Sequence, residues 1–350
     1  MNKVVRKETI LEKIILSDGQ PGNGKSLFGD LLSSFNNVEH VRYSYLLEQV
    51  CALYYLKKIS SEVADVLIKN DLDNIIYDIY MGRNLNFRYS DITSVFKSVK
   101  KIKYLKRLFS KGDLGTTRLI TEKKPILNLI VHNLMPTSKP LFEAYKNKVF
   151  LLNIVRHPLY MVIQQHLYYI DHFEDNNQKR NFTLMIDKDS KQTPFWNENN
   201  DNYQKGINSI DKVISEIYHL TMLEDKFLRE NKDLLDNQIL RIPFEQFVLN
   251  PMPFLEIIMK KSNIKFGQKT LQLIKKHKIP REKVADGLAL SIYKRCGWKP
   301  PNKNLTEKGE LDLRYKYVIS QKPTKDSLDI LDSISRKYEE NYLKEIASFN

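Results

Sequence analysis

The chain has 350 residues, enough for one large α/β domain or two small ones with a full core. Its hydrophobic content of 42% is ordinary for a globular protein, and no stretch reaches the roughly 20 apolar residues of a membrane span, which excludes a helical membrane protein. The net charge of +14 sets 56 Lys and Arg against 42 Asp and Glu, yet no zinc-finger or RNA-binding aromatic signature accompanies it. Lysines solvated over the whole surface, with a basic cleft for an anionic ligand, account for the surplus, and no specific nucleic acid is expected.

In chain order, Met1 to Lys13 is charged and offers no apolar run of signal-peptide length. Cys51 and Cys296 lie far apart and suggest neither a disulfide framework nor a metal cluster, so a reduced, cytoplasmic protein is expected. An apolar strand over about Lys13–Ser17 then breaks into GQPGNGKS and leaves as a helix from Ser26 to near Phe35. Gly19, Gly24, Lys25 and Ser26 match the phosphate-loop pattern G-x-x-x-x-G-K-[ST] in full. Glycines let such a loop turn its N–H groups inward, and the following helix presents its positive end to an anion. Lys25 adds a point charge, and Ser26 can donate a hydrogen bond or reach a metal. VEHVRYS (Val38 to Ser44) reads as a second short strand, completing a βαβ start.

Residues 45–120 are mostly helical by period and form an insertion. Within it, SVFKSVKKIKYLKRLFSKGD places Lys97, Lys100, Lys101, Lys103, Lys106, Arg107 and Lys111 around an apolar stripe, and reads as a surface helix with a solvated basic face. Two near-continuous apolar strands follow, as expected of central parallel strands covered on both sides. Ile126–Val131 ends in His132, and Val149–Val155 ends in Arg156, with Pro158 opening the next helix. Polar residues at such ends sit where open α/β sheets bind ligands. A polar stretch at about 174–205 reads as a loop or insertion. A helix over about Ile207–Asn231, a strand over Gln238–Phe247, an amphipathic helix after Asn250-Pro251, the basic segment KIPREKVADG and a closing helix complete one α/β domain spanning 1–350. The fold expected is a P-loop three-layer α/β fold with a mostly parallel central sheet.

Several of these stretches, in this order, resemble the sulfotransferases that use 3′-phosphoadenosine 5′-phosphosulfate (PAPS). GQPGNGKSLF resembles their 5′-phosphosulfate loop, G-x-P-[KR]-S-G-T-[ST]-L, and VRHPLYMVIQQH their 3′-phosphate element, R-x-P-x-x-x-x-x-S. IVHNLMP resembles the segment carrying their catalytic histidine, RIPFEQFVLNP their Y-E-D-L-x-x-x-P segment, and YKRCGWKPP the late basic loop over the cofactor. The resemblance implies that Gly19, Gln20, Pro21, Gly22, Asn23, Gly24, Lys25, Ser26 and Leu27 wrap the phosphosulfate. It implies that Arg156 holds the 3′-phosphate, helped by Gln164, Lys294, Arg295 and Gly297, and that Phe244 lies near the adenine. His132 would be the general base on a hydroxyl or amine of a small-molecule or glycan acceptor, with Lys25 at the leaving oxygen, PAP as product and no metal. The chain departs from the family at Gly22, where a lysine or arginine is usual, at Lys25 in place of threonine, and at Gln164 in place of serine.

Two other functions stay open. A P-loop kinase or NTPase would use Lys25 in Walker A position with Mg²⁺ on Ser26 and on an aspartate ending an apolar strand, for which NIIYD, ending in Asp78, is the one offer. A nucleotide-binding relative with impaired catalysis is the other.

Overall fold

Near-continuous apolar runs, buried along almost their whole length, mark the inner strands of the sheet. The computed structural model describes residues 3–110, 112, 114–171, 182–188, 191–287 and 305–346. It contains β1 (Lys13–Asp18), β2 (Arg42–Tyr43), β3 (Ile126–Ile130), β4 (Val149–Val155), the hairpin strands β5 (Met185–Lys188) and β6 (Lys191–Pro194), and β7 (Ile239–Pro243). Five of them form one sheet in the order β2-β3-β1-β4-β7, every pair parallel. This is the α/β sheet expected from the sequence.

Side chains alternate across the sheet with period two. Ile14, Leu16, Leu127, Leu129 and Leu151 join the core under the helices Tyr45–Tyr55, Ser61–Met81 and Lys139–Tyr145. Ile15, Phe150, Leu152 and Ile154 face the opposite core, with Phe28 and Leu31 of the helix Lys25–Leu32 and Leu255 and Ile258 of Met252–Ser262. Asn128 of β3 points to that second side, where its amide donates to Gly29 O at 2.9 Å and Ser33 Oγ at 3.1 Å. The amide's two N–H donors are thereby used, while its Oδ1 is buried without a hydrogen-bond partner among the described residues.

The register fixes the functional edge. Ser17 pairs with Ile130 on one side and Leu152 on the other, and Asp18 pairs with Asn153. The phosphate loop, His132 and Arg156 therefore leave the sheet at the same carboxyl edge. From this edge the chain runs from β1 toward β2 and from β4 toward β7, in opposite directions along the sheet, so the crevice between β1 and β4 is the switch point of an open α/β sheet.

Some local expectations shift. VEHVRYS keeps only β2 and one isolated bridge, Val38 to Ile126, because Glu39 is fully buried and needs partners. Lys103 Nζ at 2.8 Å, Arg107 Nη1 at 3.0 Å and the Tyr104 hydroxyl at 2.7 Å donate to its carboxylate. The basic stretch consequently divides into a short turn at Val95–Lys97 and a helix at Lys101–Arg107, with part of its charge turned inward rather than solvated. Lys100 Nζ likewise donates to Phe35 O and Val38 O, at 2.5 and 2.8 Å. Asp78 is not at a strand end; it lies in the helix Ser61–Met81 and pairs with Arg83. The strand at 238–247 stops at Pro243, and Phe244–Leu249 is helical. Within 182–205 lie the antiparallel β5–β6 hairpin and the helix Asp201–Lys205.

Candidate functional site

Gly19, Gly22 and Gly24 all adopt positive φ, at 137°, 86° and 94°. At Gly24 the requirement is twofold, since a Cβ would also collide with the Phe244 ring, 2.9 Å from Cζ and closer still to Cε2 and Cδ2. Side chains from elsewhere hold the loop. Asn23 Nδ2 donates to Ile154 O at 2.6 Å, while Asn23 Oδ1 accepts the Lys25 amide at 3.1 Å. Gln165 Nε2 donates to Pro21 O at 3.0 Å, and Arg156 Nη1 to Gly22 O at 2.9 Å. Lys25 opens the helix Lys25–Leu32, and its buried Nζ donates to the carbonyls of Gly19 and Gln20 at 2.9 and 3.2 Å. Burial pulls this ammonium down to about 8, although Asp18, Glu48 and Glu224 nearby favour its charge.

His132 follows β3 and turns back through Asn133, which has a left-handed φ of 52°. The next two amides, of Leu134 and Met135, donate to the two oxygens of the fully buried Asp18 at 3.0 and 2.7 Å. Glu48, from the helix Tyr45–Tyr55, accepts both the His132 amide at 2.9 Å and His132 Nδ1 at 3.0 Å on the same oxygen. A carboxylate can only accept, so Nδ1 carries the proton and Nε2 keeps the lone pair of the neutral ring. Tyr43 stacks on the imidazole, centroids 5.8 Å apart at 16°. An imidazole tied to a carboxylate through Nδ1 can accept a proton at Nε2.

On the other side of the loop two guanidiniums lie close together. Arg156 sits over Phe244 at 4.5 Å and Tyr160 at 4.7 Å, and Arg281 over Phe244 at 5.6 Å. Burial, with the Arg156 charge adding to it, draws the Arg281 guanidinium down to about 10. Arg156 Nε faces Glu245 at 3.6 Å, too far for a hydrogen bond. Both Nε atoms are buried without a hydrogen-bond partner among the described residues. Paired buried cations with unused donors are the complement of an anion that accepts in a fork.

These groups share one cavity of about 700 Å³. Pro21, Gly22, Asn23, Gly24, Lys25, Ser26, Leu27, His132, Arg156, Gln164 and Phe244 all line it. Gln20 turns away, its amide donating to Thr221 Oγ1 at 3.1 Å and Ile217 O at 3.4 Å. Gly19 closes the strand behind the loop rather than lining the cavity, with Asn23 and Ile154 O against its Cα. Lys294, Arg295 and Gly297 lie outside the described residues. Glu48, Tyr43 and Arg281 line the cavity and were not singled out from the sequence. Glu48 reads there as an ordinary acid in the first turn of a helix capped by Ser44, and Arg281 as one more cation in KIPREKVADG.

No family model matches the chain, and no curated protein matches it. Among solved structures it is similar to a sulfotransferase from Mycobacterium avium, at 10% identity and a TM-score of 0.41, covering 96% of this chain and 78% of that one. It is also similar to the sulfotransferase domain from the curacin biosynthetic pathway, at 12% identity and TM-score 0.39, covering 89% and 99%. A third likeness is to the sulfotransferase domain from the Synechococcus PCC 7002 olefin synthase, at 12% identity and TM-score 0.41, covering 91% and 98%. TM-scores and identities this low leave the reading of the site to its own residues.

Proposed function

We propose that the protein is a sulfotransferase that takes PAPS as donor and a hydroxyl or amine as acceptor. One observation carries the reading: a single cavity joins a glycine-rich loop with Lys25, the two guanidiniums of Arg156 and Arg281, and a histidine hydrogen-bonded to Glu48. A ligand with two separate anionic groups matches the two cationic subsites, and the orphaned Nε atoms and the Gly24 approach fit its phosphates and the bare backbone they need.

When bound, PAPS would supply an activated sulfuryl group and leave as the bisphosphate PAP. The residues' tasks follow from their chemistry. The loop amides and Lys25 offset charge at the oxygen that departs, Lys25 having one N–H beyond the two it gives to carbonyls. Arg156 and Arg281 grip the 3′-phosphate, with Phe244 beneath their planes as the floor on the adenine side. His132 Nε2 takes the acceptor proton as the acceptor atom bonds to sulfur, and Glu48 steadies the imidazolium that results. Sulfuryl transfer of this kind depends on in-line placement more than on covalent participation by the protein.

The test is calorimetric titration with PAP, beside ATP plus Mg²⁺. Metal-independent PAP binding that falls at least about tenfold in both Arg156→Ala and Arg281→Ala supports the reading. Binding of ATP only, and only with the metal, overturns it in favour of a kinase. Sulfuryl transfer undiminished in His132→Ala would remove the histidine from its role.

A further inference from the structure

The wall of the cavity beyond His132 has a different chemistry from the loop side. Tyr43 stacks on His132, Tyr45 stacks on Tyr43 with centroids 6.1 Å apart at 18°, and Phe182 tilts against Tyr45 at 6.3 Å. Tyr168 and Trp196 add two more aromatic surfaces to the same lining. Three carboxylates line the cavity: Asp30, which is taken up by His277 and Lys276, and on this side Glu48 and Glu216. Glu48 is tied to His132, while Glu216 accepts Asn197 Nδ2 on Oε2 at 2.6 Å, has Trp196 beside it as a further donor, and is pushed above the usual carboxylate range by burial. Against a chain with 56 Lys and Arg, the only ones lining the cavity among the described residues are Lys25, Arg156 and Arg281, all at the anion end.

A partly buried carboxylate among aromatic faces is poorly solvated and gains from a cation. Aromatic faces themselves attract ammonium groups through their quadrupole. An anionic acceptor would meet two like charges there and no described counter-ion. We propose that the acceptor is a small molecule with an apolar or aromatic body and a positively charged amine, seated on Tyr43 and Tyr45 with its ammonium at Glu216, and not an acidic glycan. Calling this occupant the acceptor rests on the sulfotransferase reading above; the preference for a cation rests on the lining alone.

The test uses the full chain, with and without saturating PAP, and three probes of one shape: tyramine, 4-ethylphenol and 3-(4-hydroxyphenyl)propionate. Calorimetry is expected to show tyramine binding at least about tenfold tighter than either of the others. In Glu216→Gln the advantage of tyramine over 4-ethylphenol should shrink to within about threefold, and in Tyr45→Leu tyramine should also weaken, with melting curves recorded to confirm that each variant is folded. Equal or tighter binding of the propionate overturns the proposal, as does an unchanged ratio in folded Glu216→Gln or no binding of tyramine at millimolar concentration. Tyramine binding without any PAP binding would instead sink the sulfotransferase reading and leave the cation preference standing. PAP binding with a preference for the anionic probe would do the reverse.

Discussion

Replacing Gly24 by alanine perturbs the one position where loop, ring and guanidinium meet. Its φ of 94° and ψ of 8° are left-handed, which costs a residue with a Cβ roughly 1–2 kcal/mol. The new methyl would also enter the Phe244 ring, which is 4% exposed and bounded on its far side by Arg156 and Arg281. Moving the ring sacrifices a cation–π contact of about 1 kcal/mol and strains a packed core by a further 1–2 kcal/mol or so. The total is a loss of about 3–5 kcal/mol, or a loop displaced enough to weaken PAP by at least about tenfold. Urea unfolding and calorimetry on Gly24→Ala, Phe244→Leu and the double variant separate the contributions. The leucine leaves room for the methyl, so the pair should couple by at least about 1 kcal/mol, with only the φ penalty left over. Additivity within about 0.5 kcal/mol, or a total loss under about 1 kcal/mol, would refute the account of Gly24 as both left-handed and sterically fenced.

Three other outcomes are expected. Because burial lowers Lys25 to about 8, PAP affinity should fall as pH rises above that value, by up to about tenfold per pH unit, and a flat profile from pH 7 to 10 in the wild type would exclude a role for its charge. His166, buried between Tyr317 and Ser209, is lowered by desolvation to about 4; the unfolded chain takes up its proton first, so stability should drop as pH falls from 6.5 to 4 by up to roughly 3 kcal/mol, and His166→Gln should flatten that window in denaturant titrations. Burial alone would raise the Glu39 carboxyl, but Arg107 and Lys103 outweigh it and hold it near 2, so its contribution is present above pH 4.5 and lost as pH falls toward 2. At neutral pH, Glu39→Gln leaves Arg107 partly uncompensated, with an expected cost of about 3–5 kcal/mol by chemical denaturation.

What the sequence made legible is what neighbouring residues decide together. The phosphate loop is readable because its glycines, lysine and flanking elements are contiguous, and His132 and Arg156 because each ends an apolar run. Glu48 meets His132 across 84 residues, and Arg281 reaches Phe244 from a short basic segment without periodicity. Neither pairing leaves a local trace. The inward turn of Lys103 and Arg107 was hidden for the same cause: nothing near them in sequence announces that Glu39 is buried. Gln20 shows the converse, since a side chain inside a recognisable motif can still be used for packing, here against Thr221.

The Asp18 clamp also works as a ruler. The strand that launches the phosphate loop ends in the carboxylate that fixes the turn just after His132, so the separation between loop and imidazole is set by two hydrogen bonds and a shared strand register. Neither can drift without the other. Phe182, by contrast, stands beside a hairpin that takes no part in that clamp. The molecule therefore separates a fixed gauge from an adjustable jaw, and variation confined to the jaw can change what is held without recalibrating where it is held.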